Sequence, residues 1–127
     1  MADNPFVHVE LATTDLGKAK DFYAKLFDWE LDDSRMDDYT MIGVGEHEYG
    51  VGGGMMKAPM PGMQSAWLAY VSVDDIDAAT EKAKTLGATI IKDVTAVGNF
   101  GFLSIIQDPT GAVLGLWKSV PQEIATA

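Results

Sequence analysis

His8 and His47 are the only histidines in this chain, and His8 stands two residues from Glu10 in the run Phe-Val-His-Val-Glu-Leu. Residues two apart in an extended segment share a face, so the imidazole and the carboxylate project together. Such a pair can hydrogen-bond a ligand, shuttle a proton through the imidazole, or use the carboxylate as a base if it is drawn out of water. It can also be a solvated pair with no chemistry. His8 and Glu10 are therefore the catalytic candidates. With His47, or its neighbours Glu46 and Glu48, they could also converge on a metal ion in an unconventional site. There is no cysteine, which removes thiolate metal sites, cysteine nucleophiles and disulfide frameworks together. No serine lies in a nucleophile-elbow context beside either histidine, so a Ser-His-Asp hydrolase has no support. The glycines at 50, 52, 53 and 54 lack the lysine and following helix of a phosphate loop and read as a bulge or as open floor beneath a ligand.

The elements that must hold these groups can be read from periodicity. Val7, Val9 and Leu11 alternate with His8 and Glu10, the pattern of a strand with one dry face. Asp15 is placed to cap a helix whose apolar positions Leu16, Ala19, Phe22, Tyr23, Leu26 and Phe27 form a stripe wide enough to cover a sheet. Short strands are expected from Tyr39 to Val44 and from Tyr49 to Met56. A second round follows: a strand from Trp67 to Val73 with Leu68 and Tyr70 on one face, then a helix capped by Asp74 or Asp75 that ends near Gly87. Strands at Thr89–Val94, Phe100–Ile106 and Ala112–Trp117 complete it, the last two joined by the turn Asp108-Pro109-Thr110-Gly111. Shifting the first half by 60 residues lays Asp15 on Asp75, Leu16 on Ile76, Ala19 on Ala79 and Leu26 on Leu86; two further residues of insertion lay Gly53 on Gly115. The chain reads as a duplicated βαβββ module in an α+β fold.

The repeated unit, together with Asp15–Phe27 (D-L-x-x-A-x-x-F-Y-x-x-L-F), Val73–Ala78 (V-D-D-I-D-A) and Asp108–Ala112 (D-P-T-G-A), resembles the vicinal oxygen chelate superfamily, the glyoxalase, bleomycin-resistance and extradiol-dioxygenase group. The resemblance runs from about Phe6 to Lys118. It implies that each module forms a half-cup, that two half-cups close into an open barrel, and that metal-dependent members place a His or Glu ligand on the first and last strand of each module. In this chain those positions fall on His8, near Gly53, on Leu68 and on Gly115, so only the first keeps a donor. A divalent ion needs several donors at once. The resemblance therefore points to the metal-free type, in which the cup holds a ligand and no cofactor is required.

On this reading the ligand-binding residues are His8, Glu10, Met41, Gly53, Met55, Leu68, Tyr70, Gly115 and Trp117. The glycines at former ligand positions would make room beside aromatic rings for a flat or apolar molecule. Met36, Met41, Met55, Met56, Met60 and Met63 add flexible thioethers that can line an adaptable pocket or fill core. The alternative is a divalent-metal lyase or isomerase of the lactoylglutathione lyase type.

The 127 residues are 47% hydrophobic and carry a net charge of −10. That length suits one domain, with modules at about 6–57 and 66–118 and a tail at 119–127. The negative field argues against nucleic-acid and membrane-surface partners, and no targeting or membrane-spanning stretch is visible. A cytoplasmic homodimer that binds a small molecule is the expectation, with enzymatic activity left open.

Overall fold

The computed structural model describes residues 3–36, 38–45 and 50–120. The elements in chain order are β1 (Phe6–Thr13), α1 (Leu16–Leu26), β2 (Glu30–Met36), β3 (Tyr39–Gly43), β4 (Gly53–Lys57), β5 (Ala66–Ser72), α2 (Ile76–Thr85), β6 (Thr89–Val97), β7 (Gly101–Gln107) and β8 (Val113–Ser119). They fall into two compact units, a first spanning Val7–Ala69 and a second made of Met1–Phe6 with Tyr70–Ala127. The α+β class and the doubled βαβββ order are as the sequence leads one to expect.

In the first unit the strand order is β2-β3-β4-β1. β1 pairs parallel with β4, which requires the crossover through α1, and the other pairs are antiparallel. The register matches Glu10 to Gly54 and Leu11 to Met55, then Met41 to Gly54 and Ile42 to Gly53. Paired residues share a face, so Leu11, Met55, Ile42 and Gly53 lie on the side covered by α1. Leu11, Ile42 and Met55 form a core against which Leu16, Ala19, Tyr23, Trp29, Leu31 and Val44 pack. α1 starts where the Asp15 side chain accepts from the Lys18 backbone N–H at 3.0 Å, satisfying one of the donors a helix start leaves orphaned. The expected wide stripe is only half used, since Phe22, Leu26 and Phe27 remain exposed.

In the second unit, which takes β5 from Tyr70 onward, the order is β5-β8-β7-β6, again with a parallel pair, β5 and β8, beside antiparallel ones. Asp75, rather than Asp74, caps α2 by accepting from Ala78 N–H at 3.0 Å. The helix stops at Gly87, whose φ of 102° suits a residue without Cβ. The backbone N–H groups of Gly87 and Ala88 reach Lys84 and Ala83 carbonyls at 3.2 and 3.0 Å, closing a Schellman motif. Under α2, Ile76 and Leu116 are buried together with a polar pair, Thr80 and Ser104, whose hydroxyls meet at 2.8 Å. Thr80 Oγ1 also donates to the Ile76 carbonyl at 2.6 Å, so both hydroxyls are satisfied away from water. In the Asp108–Gly111 turn, the Asp108 carboxylate accepts from Thr110 N–H, Thr110 Oγ1 and Ala112 N–H at 2.7–3.0 Å. Those bonds hold its carboxyl below the usual carboxylate range.

β2, Glu-Leu-Asp-Asp-Ser-Arg-Met, has no apolar run to announce it. It forms because it is the outermost strand of its unit, where Leu31 pairs with Ile42 and the charged residues face water. Among the described residues no helix is long and apolar enough to cross a membrane.

Candidate functional site

His8 and Glu10 lie on the side of the first unit's sheet turned away from α1, and the register brings Gly54 and Met41 into the same row. Alternation along β3 and β4 adds Tyr39 and Met56 to this face. His8 Nε2 is 2.6 Å from the Tyr39 hydroxyl, with the two rings nearly parallel and their centroids 6.2 Å apart. Tyr39 is held there by sterics as well, because its ring lies over Gly54 and a Cβ at that position would run into it.

Partial burial pulls the His8 pKa below its ordinary 6.5, and the nearby Glu10 carboxylate offsets part of that shift. At neutral pH the imidazole is therefore uncharged, with one ring nitrogen a donor and the other an acceptor. A neutral imidazole bonded to a phenol and close to a carboxylate can take up a proton and return it, and it can anchor the polar end of a ligand. Met41 and Met56, both half-buried, supply a soft apolar surround.

Gly53 and Met55 occupy the opposite face, and Met55, with no exposed surface, is core. The period of two decides this: Gly54, not Gly53, shares the row of His8 and Glu10. It also corrects the internal alignment, since Glu10 pairs with Gly54 while Tyr70 pairs with Gly115. One residue of insertion relates the modules, not two. Leu68 and Tyr70 share a face of β5, and Tyr70, Gly115 and Trp117 lie on one face of the second unit. The space expected at Gly115 is taken by the Tyr70 ring, into which a Cβ at Gly115 would run. The Trp117 ring likewise covers Gly101, and its Nε1–H donates to Ser119 Oγ at 2.9 Å.

Two residues with evident consequence were missed. The sequence alone marks Tyr39 only as the start of a strand, although Tyr-Thr-Met-Ile-Gly alternates; placing it beside His8 takes the register of three strands. Trp29 was not singled out. With Trp67 it walls a cavity of about 260 Å³ on the α1 side, also lined by Val9, Ile42, Val44 and Val51. A larger cavity of about 460 Å³ in the second unit lies by the start of α2, among Asp74, Asp75, Asp77, Phe102 and Lys118. None of the expected site residues lines it.

The donor set does not fit a divalent ion at the four positions the resemblance implies. Gly54 and Gly115 are covered by rings and Leu68 has no donor atom. Among the described residues no three His, Cys, Asp or Glu side chains gather closely enough to hold a metal. Glu46, His47 and Glu48, proposed from sequence as partners for His8 and Glu10, lie outside the described residues.

A repeated βαβββ unit, one copy of which keeps an imidazole–phenol pair on its open sheet face, defines a class that comparison with known proteins makes specific. Residues 6–116 match the sequence model of the Glyoxalase/Bleomycin resistance protein/Dioxygenase superfamily, and the chain belongs to that family. It is 37% identical over 121 residues to the glyoxylase-named CFP32 of Mycobacterium bovis, a match covering 87% of this chain and 44% of CFP32. The chain thus spans less than half the length of that relative. Methylmalonyl-CoA epimerase from Mycobacterium tuberculosis shares the fold with a TM-score of 0.68 and 16% identity, over 91% of this chain and 88% of the epimerase. The Mn(II)-bound glyoxalase from Novosphingobium aromaticivorans does so with a TM-score of 0.61 and 16% identity, over 94% of this chain and 42% of that enzyme.

Proposed function

We propose that this glyoxalase-family chain binds a small organic molecule on the His8 face of its first unit, and that it does so without a divalent ion. The observation that carries the reading is the 2.6 Å contact between His8 Nε2 and the Tyr39 hydroxyl, made by an imidazole that burial keeps neutral. A neutral imidazole–phenol pair offers a ligand carbonyl or hydroxyl a donor and an acceptor on one spot, while Met41 and Met56 meet its apolar body. Glu10 sets the preference: its carboxylate and the overall charge of −10 disfavour anionic ligands. A homodimer, which the family resemblance implies, is the setting we infer for this activity.

The test uses tag-free protein, with the His8 Cε1–H signal followed by NMR during a screen of uncharged carbonyl-bearing fragments, and with separate titrations of Mn(II), Ni(II) and Zn(II). The expected result is a set of fragments that move the His8 signal and bind at least fivefold more weakly to Tyr39→Phe, with no metal saturating at one equivalent. One-to-one metal binding lost in His8→Ala would transfer the reading to the metal-dependent lyase or isomerase. Fragments that bind His8→Ala as well as the parent would place the ligand elsewhere.

A further inference from the structure

Behind the His8 face, on the α1 side of the same sheet, lies a second feature that the proposed function does not use. Trp29 and Trp67 meet with ring centroids 6.2 Å apart and planes at 77°, so their indoles form two walls of a corner. Tyr23 braces both from behind, lying 5.6 Å from Trp29 in a near-parallel stack and 5.5 Å from Trp67 edge-on. The corner opens on the cavity of about 260 Å³, whose other described side chains, Val9, Ile42, Val44 and Val51, are aliphatic. Trp67 is 41% exposed, a large fraction for an indole with apolar neighbours on several sides.

We infer that this corner is a binding site for a flat, uncharged aromatic molecule of about two fused rings. Size sets the upper bound, because pockets for drug-sized ligands begin at about 300 Å³. Chemistry sets the class: among the described residues no ionisable side chain lines the cavity, so a charged ligand would lose hydration with none of them to replace it. Indoles at right angles present one face for offset stacking and one for edge contact, the two geometries aromatic rings prefer. Because Tyr23 already fixes both indoles, little side-chain freedom remains to be lost on binding. Asp28 and Glu30, both exposed, flank Trp29 in the chain and disfavour an anionic ligand further.

The chain's three tryptophans make the site directly readable, since Trp117 belongs to the second unit and serves as an internal reference. Titration of the full ¹⁵N-labelled chain with 2-naphthol is expected to give saturable shifts at the Trp29 and Trp67 indole N–H signals, with Trp117 and the His8 ring signals still. The anionic analogue 2-naphthalenesulfonate should bind more weakly. Val44→Phe, which fills the cavity, should abolish the shifts, and Trp67→Ala should weaken binding about tenfold, the scale of one lost ring–ring contact. The inference is overturned by the absence of saturable shifts, by equal shifts at Trp117, by shifts confined to His8, or by unchanged affinity in both variants. Because the His8 signals are read in the same spectra, failure here and failure of the His8-face proposal are told apart.

Discussion

Laid on each other by the 60-residue offset, the two halves of the sequence put His8 on Leu68 and Glu10 on Tyr70, while the β1–β4 and β5–β8 registers make Gly54 and Gly115 equivalent. Both glycines lie beneath a tyrosine ring, yet the rings come from different places. Tyr39 reaches Gly54 from β3 and brings its hydroxyl to His8, whereas Tyr70 covers Gly115 from the neighbouring strand, and the residue aligned there with His8 is Leu68. The same glycine–ring device thus recurs in both units, and in the first it also brings a phenol to an imidazole.

The largest effect is expected where this comparison is most literal. Gly54→Ala and Gly115→Ala each push a methyl group into a ring, and each should cost about 1–3 kcal/mol through overpacking, read from urea denaturation. Double-mutant cycles with Tyr39→Ala and Tyr70→Ala should be strongly non-additive in the matched pairs and additive in the crossed ones. Equal coupling in all four combinations would break the parallel.

A smaller difference is expected at the helix caps. Asp15→Ala should cost about 1 kcal/mol. Asp75→Ala should cost less, because α2 retains Asp77 in its first turn while α1 has no acidic residue there. Thermal unfolding of the two variants orders them, and the reverse order would contradict the argument.

The smallest effect concerns pH. The folded-state pKa of His8 is lowered from 6.5, so below pH 6.5 the unfolded chain binds more protons at this residue than the folded one does. Stability present above 6.5 is therefore lost as pH falls through the depressed value. Asp32, Asp33 and Asp108 also have lowered pKa values, but from an ordinary value of 3.8, and their losses come at distinctly lower pH. Denaturation midpoints should decline in two separate stages on acidification, and His8→Gln should remove the upper stage only.

Much of this was legible in the sequence because it depends on local rules. Asp15, Asp75, Gly87 and the Asp108–Gly111 turn each act through bonds to residues within a few positions, and His8 beside Glu10 needs only the period of a strand. What was not legible depends on register. One residue of slip moves every side chain of a strand to the other face, which is why Gly53 and Met55 were expected beside His8 and Gly54 was not. The Tyr39–His8 contact spans 31 positions and passes through two strand pairings, so no local pattern contains it. β2 was missed for a related reason: its charged residues are compatible with a strand only at an outer position, which is a property of the assembled sheet. The breadth of the α1 stripe misled in the other direction, because periodicity reports what a helix could bury and not how much sheet lies under it.

That outer position of β2 has a consequence for behaviour in concentrated solution. An outermost strand exposes unpaired backbone groups to which a strand from another molecule can add, the usual first step of ordered aggregation. β2 carries Asp32, Asp33 and Arg35 and breaks register between Asp32 and Met36; β6, outermost in its own unit, carries Lys92 and Asp93 and breaks register twice. Charge and irregular pairing together make both margins poor templates for fibril growth, so a chain with many exposed aromatic side chains is protected at its two most vulnerable strands.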